Sequence, residues 1–159
     1  MPFNVTAAAA HIRRIVLKFN SERLEIRYNA GEKYREYQLK AQKLDQEFSE
    51  LNRRLQAENT TEEDYQALRD AMASARRRLA DNICTVIESW DLEGDRDAIK
   101  SNMPSKDAKE FKDLAGQGEI PVSGAWLDAL PLPDEFILKI SEGITNDFDT
   151  GGAGGKARS

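Results

Sequence analysis

The sequence predicts a mainly α-helical domain with a small N-terminal β-hairpin, an α+β fold built on a long antiparallel helical hairpin followed by short C-terminal helices. Three patterns carry that prediction. Apolar residues alternate at period two over residues 15–19 and 24–28. They recur at three- and four-residue steps over residues 37–55, and again over residues 65–90. Beyond residue 120, short apolar clusters are punctuated by Pro131 and Pro133.

Residues 1–12 show no period and read as a flexible arm ahead of a single domain spanning 13–147. In the first periodic stretch Ile15, Leu17 and Phe19 alternate with Val16 and Lys18, and Leu24, Ile26 and Tyr28 with Glu25 and Arg27. Asn20 and Ser21 between them favour a turn. A lone hairpin is marginal in water, so its apolar face has to pack on helices or on another subunit.

Asn29, Ala30 and Gly31 break the strand, and a helical hairpin is expected over 32–92. Tyr37, Ala41, Leu44, Phe48, Leu51 and Leu55 form an a/d seam. That seam fits a two-helix arm of an ordinary bundle or a coiled coil that dimerises. Ala57, Glu58 and Asn59 form a link short enough to make the two helices antiparallel. Thr60 with Glu63 reads as a capping box. Behind it Tyr65, Leu68, Met72, Ala75, Leu79, Ile83, Val86 and Trp90 form one apolar stripe, and the helix is expected to run to Leu92.

Residues 94–119 are polar and read as a mobile insertion, helical in part at most. Ile120, Pro121 and Val122 are an extended lead into a helix capped by Ser123, with Trp126, Leu127 and Leu130 on its apolar face. Pro131 and Pro133 stop that helix and hold Leu132 extended, pointing inward. Asp134 is expected to cap a last short helix with Phe136, Ile137, Ile140 and Ile144 inside. From Thr145 the chain turns polar and then glycine-rich, and 148–159 reads as a disordered tail.

At 159 residues, 32% of them charged, the chain is long enough for one cored domain. A net charge of −5 argues against a nucleic-acid partner, because neutralising phosphates needs a clustered basic surface. Arg76, Arg77 and Arg78 are the tightest basic cluster, but on a helix they spread over about 200° and read as a solvated face. No apolar run reaches the ~20 residues that cross a bilayer. The first residues also lack a secretory pattern, so the reading is cytoplasmic.

Catalytic chemistry has little to stand on. His11 is the single histidine and reads as an exposed surface residue; Cys84 is the single cysteine and, beside Ile83 and Val86, reads as a small buried hydrophobe. The pairs Asp91 with Glu93 and Asp147 with Asp149 lack the length and terminal glutamate of a calcium loop. The glycines before Lys156 lack the preceding strand and following helix of a phosphate loop. No enzyme activity, cofactor or metal is expected.

The order of motifs is more specific. A hairpin with Leu24, Ile26 and Tyr28 precedes helices ending in Trp90-Asp91-Leu92; then come Ile120-Pro121-Val122-Ser123, Leu130-Pro131-Leu132-Pro133, an apolar helix and Asn146-Asp147. This order resembles the tail assembly chaperones of long-tailed bacteriophages, over about half of the chain (13–31, 83–93 and 120–147). The chain departs from the family in its long polar stretch at 94–119 and its longer, more charged helical hairpin.

The resemblance implies a non-enzymatic protein of the host cytoplasm. It would bind the tape measure protein and keep it soluble while tail-tube subunits assemble around it. It would then leave, and be absent from the mature virion. Partners implied are the tape measure protein, the major tail tube protein and further copies of the chain, with neither nucleic acid nor membrane.

The resemblance also implies a longer product made by ribosomal frameshifting, and Gly154-Gly155-Lys156 can be encoded by a slippery heptamer. An amphipathic client helix would lie in an apolar groove beside the hairpin or the Trp126 helix. Candidate client or oligomer contacts are Leu17, Phe19, Leu24, Ile26 and Tyr28 on the hairpin and Leu44, Phe48, Leu51 and Leu55 on the seam. Trp90, Asp91, Leu92, Trp126, Leu130, Pro131, Leu132 and Pro133 are expected as the motif core. The alternative is a structural or adaptor protein of the virion that dimerises through its helical hairpin.

Overall fold

In a computed structural model, which describes residues 11–57 and 59–151, strand β1 (Ile12–Phe19) turns through Asn20 and Ser21 into β2 (Glu22–Asn29). Phe19 stands opposite Glu22 and Ile12 opposite Asn29. Asn20 takes a φ of 57°, a left-handed conformation that asparagine tolerates in a tight hairpin turn. The strand starts inside the stretch expected as an arm: Ile12 belongs to it, and the carbonyl of His11 accepts the Ala30 N–H. Residues 1–10 of that expected arm lie outside the described residues.

Helix α1 (Glu32–Leu55) and helix α2 (Glu62–Val86) form the antiparallel hairpin. The capping box sits one residue later than the sequence pattern placed it. Thr61 accepts from the Asp64 amide at 3.2 Å and the Asp64 carboxylate accepts from the Thr61 amide at 3.0 Å. Thr60 instead donates to the Ala57 carbonyl at 2.6 Å, closing the end of α1. The stripe on α2 is buried only towards its C-terminal end, at Ile83 and Val86, with Ala80 buried beside them; Tyr65 and Met72, further back along the helix, are 46% and 62% exposed.

The expected helix to Leu92 is overturned. α2 stops at Val86, Ile87 turns to extended backbone, and β3 (Ile87–Trp90) pairs antiparallel with β2. The register shifts between Arg27 and Tyr28, so Trp90 faces Ile26 while Ile87 faces Tyr28. Ile87 and Trp90 are three residues apart and would lie on opposite faces of a regular strand. The bulge adds a residue and buries both. That spacing also matches a helical stripe, which is why periodicity misassigned it.

Residues 94–119, expected as a mobile insertion, are tied into the fold. β4 (Glu93–Asp95) and β5 (Gln117–Glu119) pair as a two-stranded ribbon, so the excursion leaves and returns at one place. Helix α3 (Arg96–Lys100) is capped by the Asp95 carboxylate, and α4 (Ser105–Glu110) follows Pro104. Ile99, Met103 and Ile120 are buried beneath them.

Helix α5 (Gly124–Ala129) begins at Ser123, whose hydroxyl accepts from the Ala125 amide at 3.2 Å, as expected. Gly124 permits its approach to α2: a Cβ there would lie 2.7 Å from the Asp81 Cα. Helix α6 (Asp134–Asp149) packs against both α2 and β1 with Ile137, Ile140 and Ile144 buried, and Phe136 meets Phe19 with ring centroids 4.7 Å apart. The hairpin therefore packs on helices of its own chain.

Three expectations at this end are corrected. Asp134 is the first residue of α6, after Pro133 at the cap position, and makes no side-chain cap. Leu132 is 40% exposed, because the backbone between two prolines turns it outward. The helix continues through the expected tail start: Phe148 stacks on Tyr34 at 3.7 Å, and Asp147 accepts from the Tyr28 hydroxyl at 2.6 Å. Ile137, Ile140, Ile144 and Phe148 are one helical stripe, which holds the last turns in place. Residues 152–159, with the Gly154-Gly155-Lys156 tripeptide, lie outside the described residues.

Candidate functional site

The three motif pieces converge at the base of the helical hairpin. Trp90 is buried, and its indole N–H donates to the Ile120 carbonyl at 2.6 Å. The Ile120 amide donates to the Leu92 carbonyl at 2.9 Å. Asp91 completes the β2 edge beyond the last strand residue: its amide donates to the Glu25 carbonyl and its carboxylate accepts the Glu25 amide at 2.8 Å. The tryptophan thus locks Ile120 against β3, and the aspartate locks the end of β3 against β2.

The Leu130–Pro133 segment is held by Arg76. A proline has no N–H, so a segment with alternating prolines cannot satisfy its carbonyls by joining a ladder. The Arg76 guanidinium supplies the donors, reaching the carbonyls of Asp128 at 3.1 Å, Leu130 at 3.1 Å and Leu132 at 2.9 Å. It also pairs with the carboxylates of Asp128 at 3.2 Å and Asp134 at 2.8 Å.

The expected solvated face of three arginines is thereby corrected. Arg76 grips the proline segment, Arg77 joins Asp107 of α4 at 2.7 Å and Asp81 at 3.0 Å, and Arg78 pairs with Glu47 of α1. Spread around the helix, each meets a different neighbour. Two acidic partners raise the Arg77 pKa above its ordinary value, the hydrogen bond to Asp107 being the larger cause.

Between these pieces and the hairpin tip lies a cleft of about 430 Å³. Phe19, Leu24, Leu92, Leu132 and Phe136 supply its apolar lining, and Asn20, Glu22, Arg23, Asp91 and Glu93 its polar rim. Three carboxylates face one guanidinium there, so the rim is acidic. Leu132 and Phe136 are half-exposed, giving the cleft a greasy wall open to solvent.

The other expected contacts divide by burial. Leu24, Ile26 and Tyr28 are at most 4% exposed and hold the core, while Leu17 and Phe19 are half-buried against α6. Burial, with the Asp147 hydrogen bond second, pushes the Tyr28 phenol above its ordinary pKa. Leu44 and Phe48 line a second cleft of about 290 Å³ with Leu79, Ile137 and Leu138, and Leu51 lines a third between α1 and α2. Leu55, at the end of α1, is half-buried. The seam from Leu44 to Leu51 therefore turns towards the partner helix of the same hairpin.

Of the motif residues, Trp126 is fully buried with Phe111 edge-on at 5.4 Å, Leu130 is buried, and Pro131 and Pro133 are exposed. Arg76, Arg23, Glu93 and Phe136 were missing from the expected site; only the tertiary approach of hairpin tip and proline segment brings them in. His11 is exposed. Cys84 is half-buried, and burial, with the Asp81 carboxylate adding to it, pushes its thiol up to about 12. Among the described residues no cluster of three histidine, cysteine or acidic side chains is placed to hold a metal ion, and no helix is long and apolar enough to cross a membrane.

No protein-family model, no curated protein and no solved structure matches the chain.

Proposed function

We propose that the protein is a tail assembly chaperone of a long-tailed bacteriophage, binding the tape measure protein and keeping it soluble while the tail tube forms around it. The observation that carries this reading is that Asp91, Leu92 and Leu132 meet the β-hairpin tip in one cleft, with Ile120 bonded to Trp90 and Leu92 behind it. In the sequence these pieces carry the resemblance to that family. A half-apolar cleft with an acidic rim suits one turn of an amphipathic helix with basic flanks, the kind of segment a long helical client offers before assembly. The chain acts by binding and release, with no bond-making of its own.

Co-expression with a tape measure protein tests the proposal. The native chain is expected to raise the client's soluble fraction, and Leu132→Asp, at an exposed position on the cleft wall, to abolish the gain without lowering the chaperone's own thermal midpoint. An unchanged soluble fraction with the native chain sinks the proposal. Abundant copies of the protein in purified virions would favour the adaptor reading instead.

A further inference from the structure

The proposed function leaves one surface unused, the outer edge of β1. The sheet order is β1-β2-β3, so β1 has a neighbour on one side only. The register fixes which backbone groups are already taken. The pairs Arg13 with Tyr28, Ile15 with Ile26, Leu17 with Leu24 and Phe19 with Glu22 continue the ladder of the observed His11–Ala30 hydrogen bond. Antiparallel ladders alternate, so the amides and carbonyls of Ile12, Arg14, Val16 and Lys18 point away from β2. The other side of β2 obeys the same alternation, with Glu25 bonded to Asp91. Among the described residues nothing pairs with that outer row, which is a template for another strand.

A groove runs beside it. A cleft of about 490 Å³ lies between β1 and α6, lined by Arg14, Ile15, Val16 and Leu17 on one side and Gly143, Asn146 and Asp147 on the other; the Asp147 carboxylate accepts from the Tyr28 hydroxyl. α6 comes close here because Gly143 has no side chain; a Cβ would lie 2.6 Å from Leu17 Cδ2. A strand added to β1 would send alternate side chains into this groove and the rest onto the outer face of the sheet.

Charge selects the occupant. Over residues 12–29 the hairpin carries Arg13, Arg14, Lys18, Arg23 and Arg27 against Glu22 and Glu25, five minus two or +3, on a chain whose net charge is −5. Arg14 pairs with Glu25, whereas Lys18, Arg23 and Arg27 make no ion pair among the described residues. A second copy is a poor occupant. Two β1 strands side by side would gather Arg13, Arg14 and Lys18 twice over with no carboxylate from either strand, and like charges across a ladder oppose pairing.

We propose that the β1 edge binds an extended acidic segment of a partner polypeptide by strand addition. Its carboxylates lie on the outer face beside Arg14 and Lys18, and its apolar side chains lie in the groove against α6. This site is separate from the cleft at the hairpin tip and does not depend on the chaperone reading.

Fluorescence anisotropy on the full chain tests it. The probe is a dye-labelled peptide of roughly seven residues alternating glutamate and valine, compared with a lysine–valine counterpart and a glutamate–valine peptide N-methylated on alternate amides. The glutamate peptide is expected to bind saturably and at least roughly tenfold more tightly than either control. Val16→Pro removes an amide that serves no bond inside the fold, and proline is tolerated on edge strands. It is expected to weaken binding by a similar factor with the urea midpoint unchanged; should it unfold the protein, the N-methylated peptide makes the same test on the native chain. Absence of saturable binding, equal binding of the lysine peptide, or indifference to N-methylation overturns the proposal. So does a dimer in sedimentation that Val16→Pro dissolves, because a second copy would then hold the edge.

Discussion

Arg76→Ala should be among the most damaging single changes outside the apolar core. The side chain is 22% exposed and holds three backbone carbonyls and two carboxylates. Hydrogen bonds from a charged donor contribute about 1.5–3 kcal/mol each, but the losses do not sum. Leu132 is 40% exposed, so water replaces the donor at its carbonyl; the buried Leu130 carbonyl keeps the Leu132 amide at 2.7 Å but loses its charged donor with no water to replace it. One fully lost bond at Leu130, part of another at Asp128 and the lost packing of the aliphatic stem together come to about 3 kcal/mol.

Urea unfolding followed by the fluorescence of Trp90 and Trp126 measures this. With a slope of about 2 kcal/mol/M, the midpoint should fall by about 1.5 M. Arg76→Lys should land between, since one ammonium cannot span three carbonyls. Arg53 is the control: its side chain is 76% exposed and pairs with Glu50 on the same helix, so Arg53→Ala should cost less than about 0.5 kcal/mol. An Arg76→Ala loss no larger than that of Arg53→Ala would refute the claim that this guanidinium holds the proline segment.

Three further outcomes are expected. Gly124→Ala would put a Cβ against the Asp81 backbone, and the forced shift should cost about 1–3 kcal/mol, read as a lowered thermal midpoint. Trp90→Phe keeps an aromatic ring but removes the donor to the Ile120 carbonyl and part of the buried indole, and should cost about 1–3 kcal/mol in the same urea assay. Stability should fall as pH rises from about 9 to 12. The Cys84 thiol, pushed up to about 12 in the fold from 9.0, keeps its proton there while the unfolded chain releases it. Tyr28 acts in the same direction, so Cys84→Ala should shallow the alkaline loss of stability without abolishing it; an unchanged slope would place the thiol in water.

Where one period ruled, the fold was legible. Alternation over residues 15–19 and 24–28 located the β-hairpin, and the six-residue seam from Tyr37 to Leu55 located α1. Elsewhere two patterns coincided. Ile83, Val86, Ile87 and Trp90 satisfy a helical stripe, yet the bulge opposite Arg27 and Tyr28 lets the last two sit side by side on a strand. Thr60 with Glu63 and Thr61 with Asp64 both fit a capping box, and local pattern alone cannot choose between them. The polar look of Asn146 and Asp147 hid the last turns of α6, which Phe148 fastens through a ring 114 positions earlier in the chain, at Tyr34.

The motif pieces were visible in order, while their junction was not. Trp90 meets Ile120 across an excursion whose own partners, the Glu93–Glu119 pairing and the Arg77–Asp107 bond, carry no sequence period. Arg76 illustrates both the limit and the available signal. Its place in a run of three arginines suggests solvent, because a helix turns consecutive residues about 100° apart. Yet Leu130-Pro131-Leu132-Pro133 poses a demand of its own: two missing amides leave carbonyls that need an outside donor or water. The Leu132 amide serves the Leu130 carbonyl at 2.7 Å, but that oxygen is buried, so water cannot supply its second bond and a long side chain from a neighbouring element does. Only a planar cation with several N–H groups can meet three carbonyls at once. A proline-alternating turn beside a buried leucine is therefore a sequence sign that an arginine elsewhere is structural, and the phase of α2 selects Arg76 from the three.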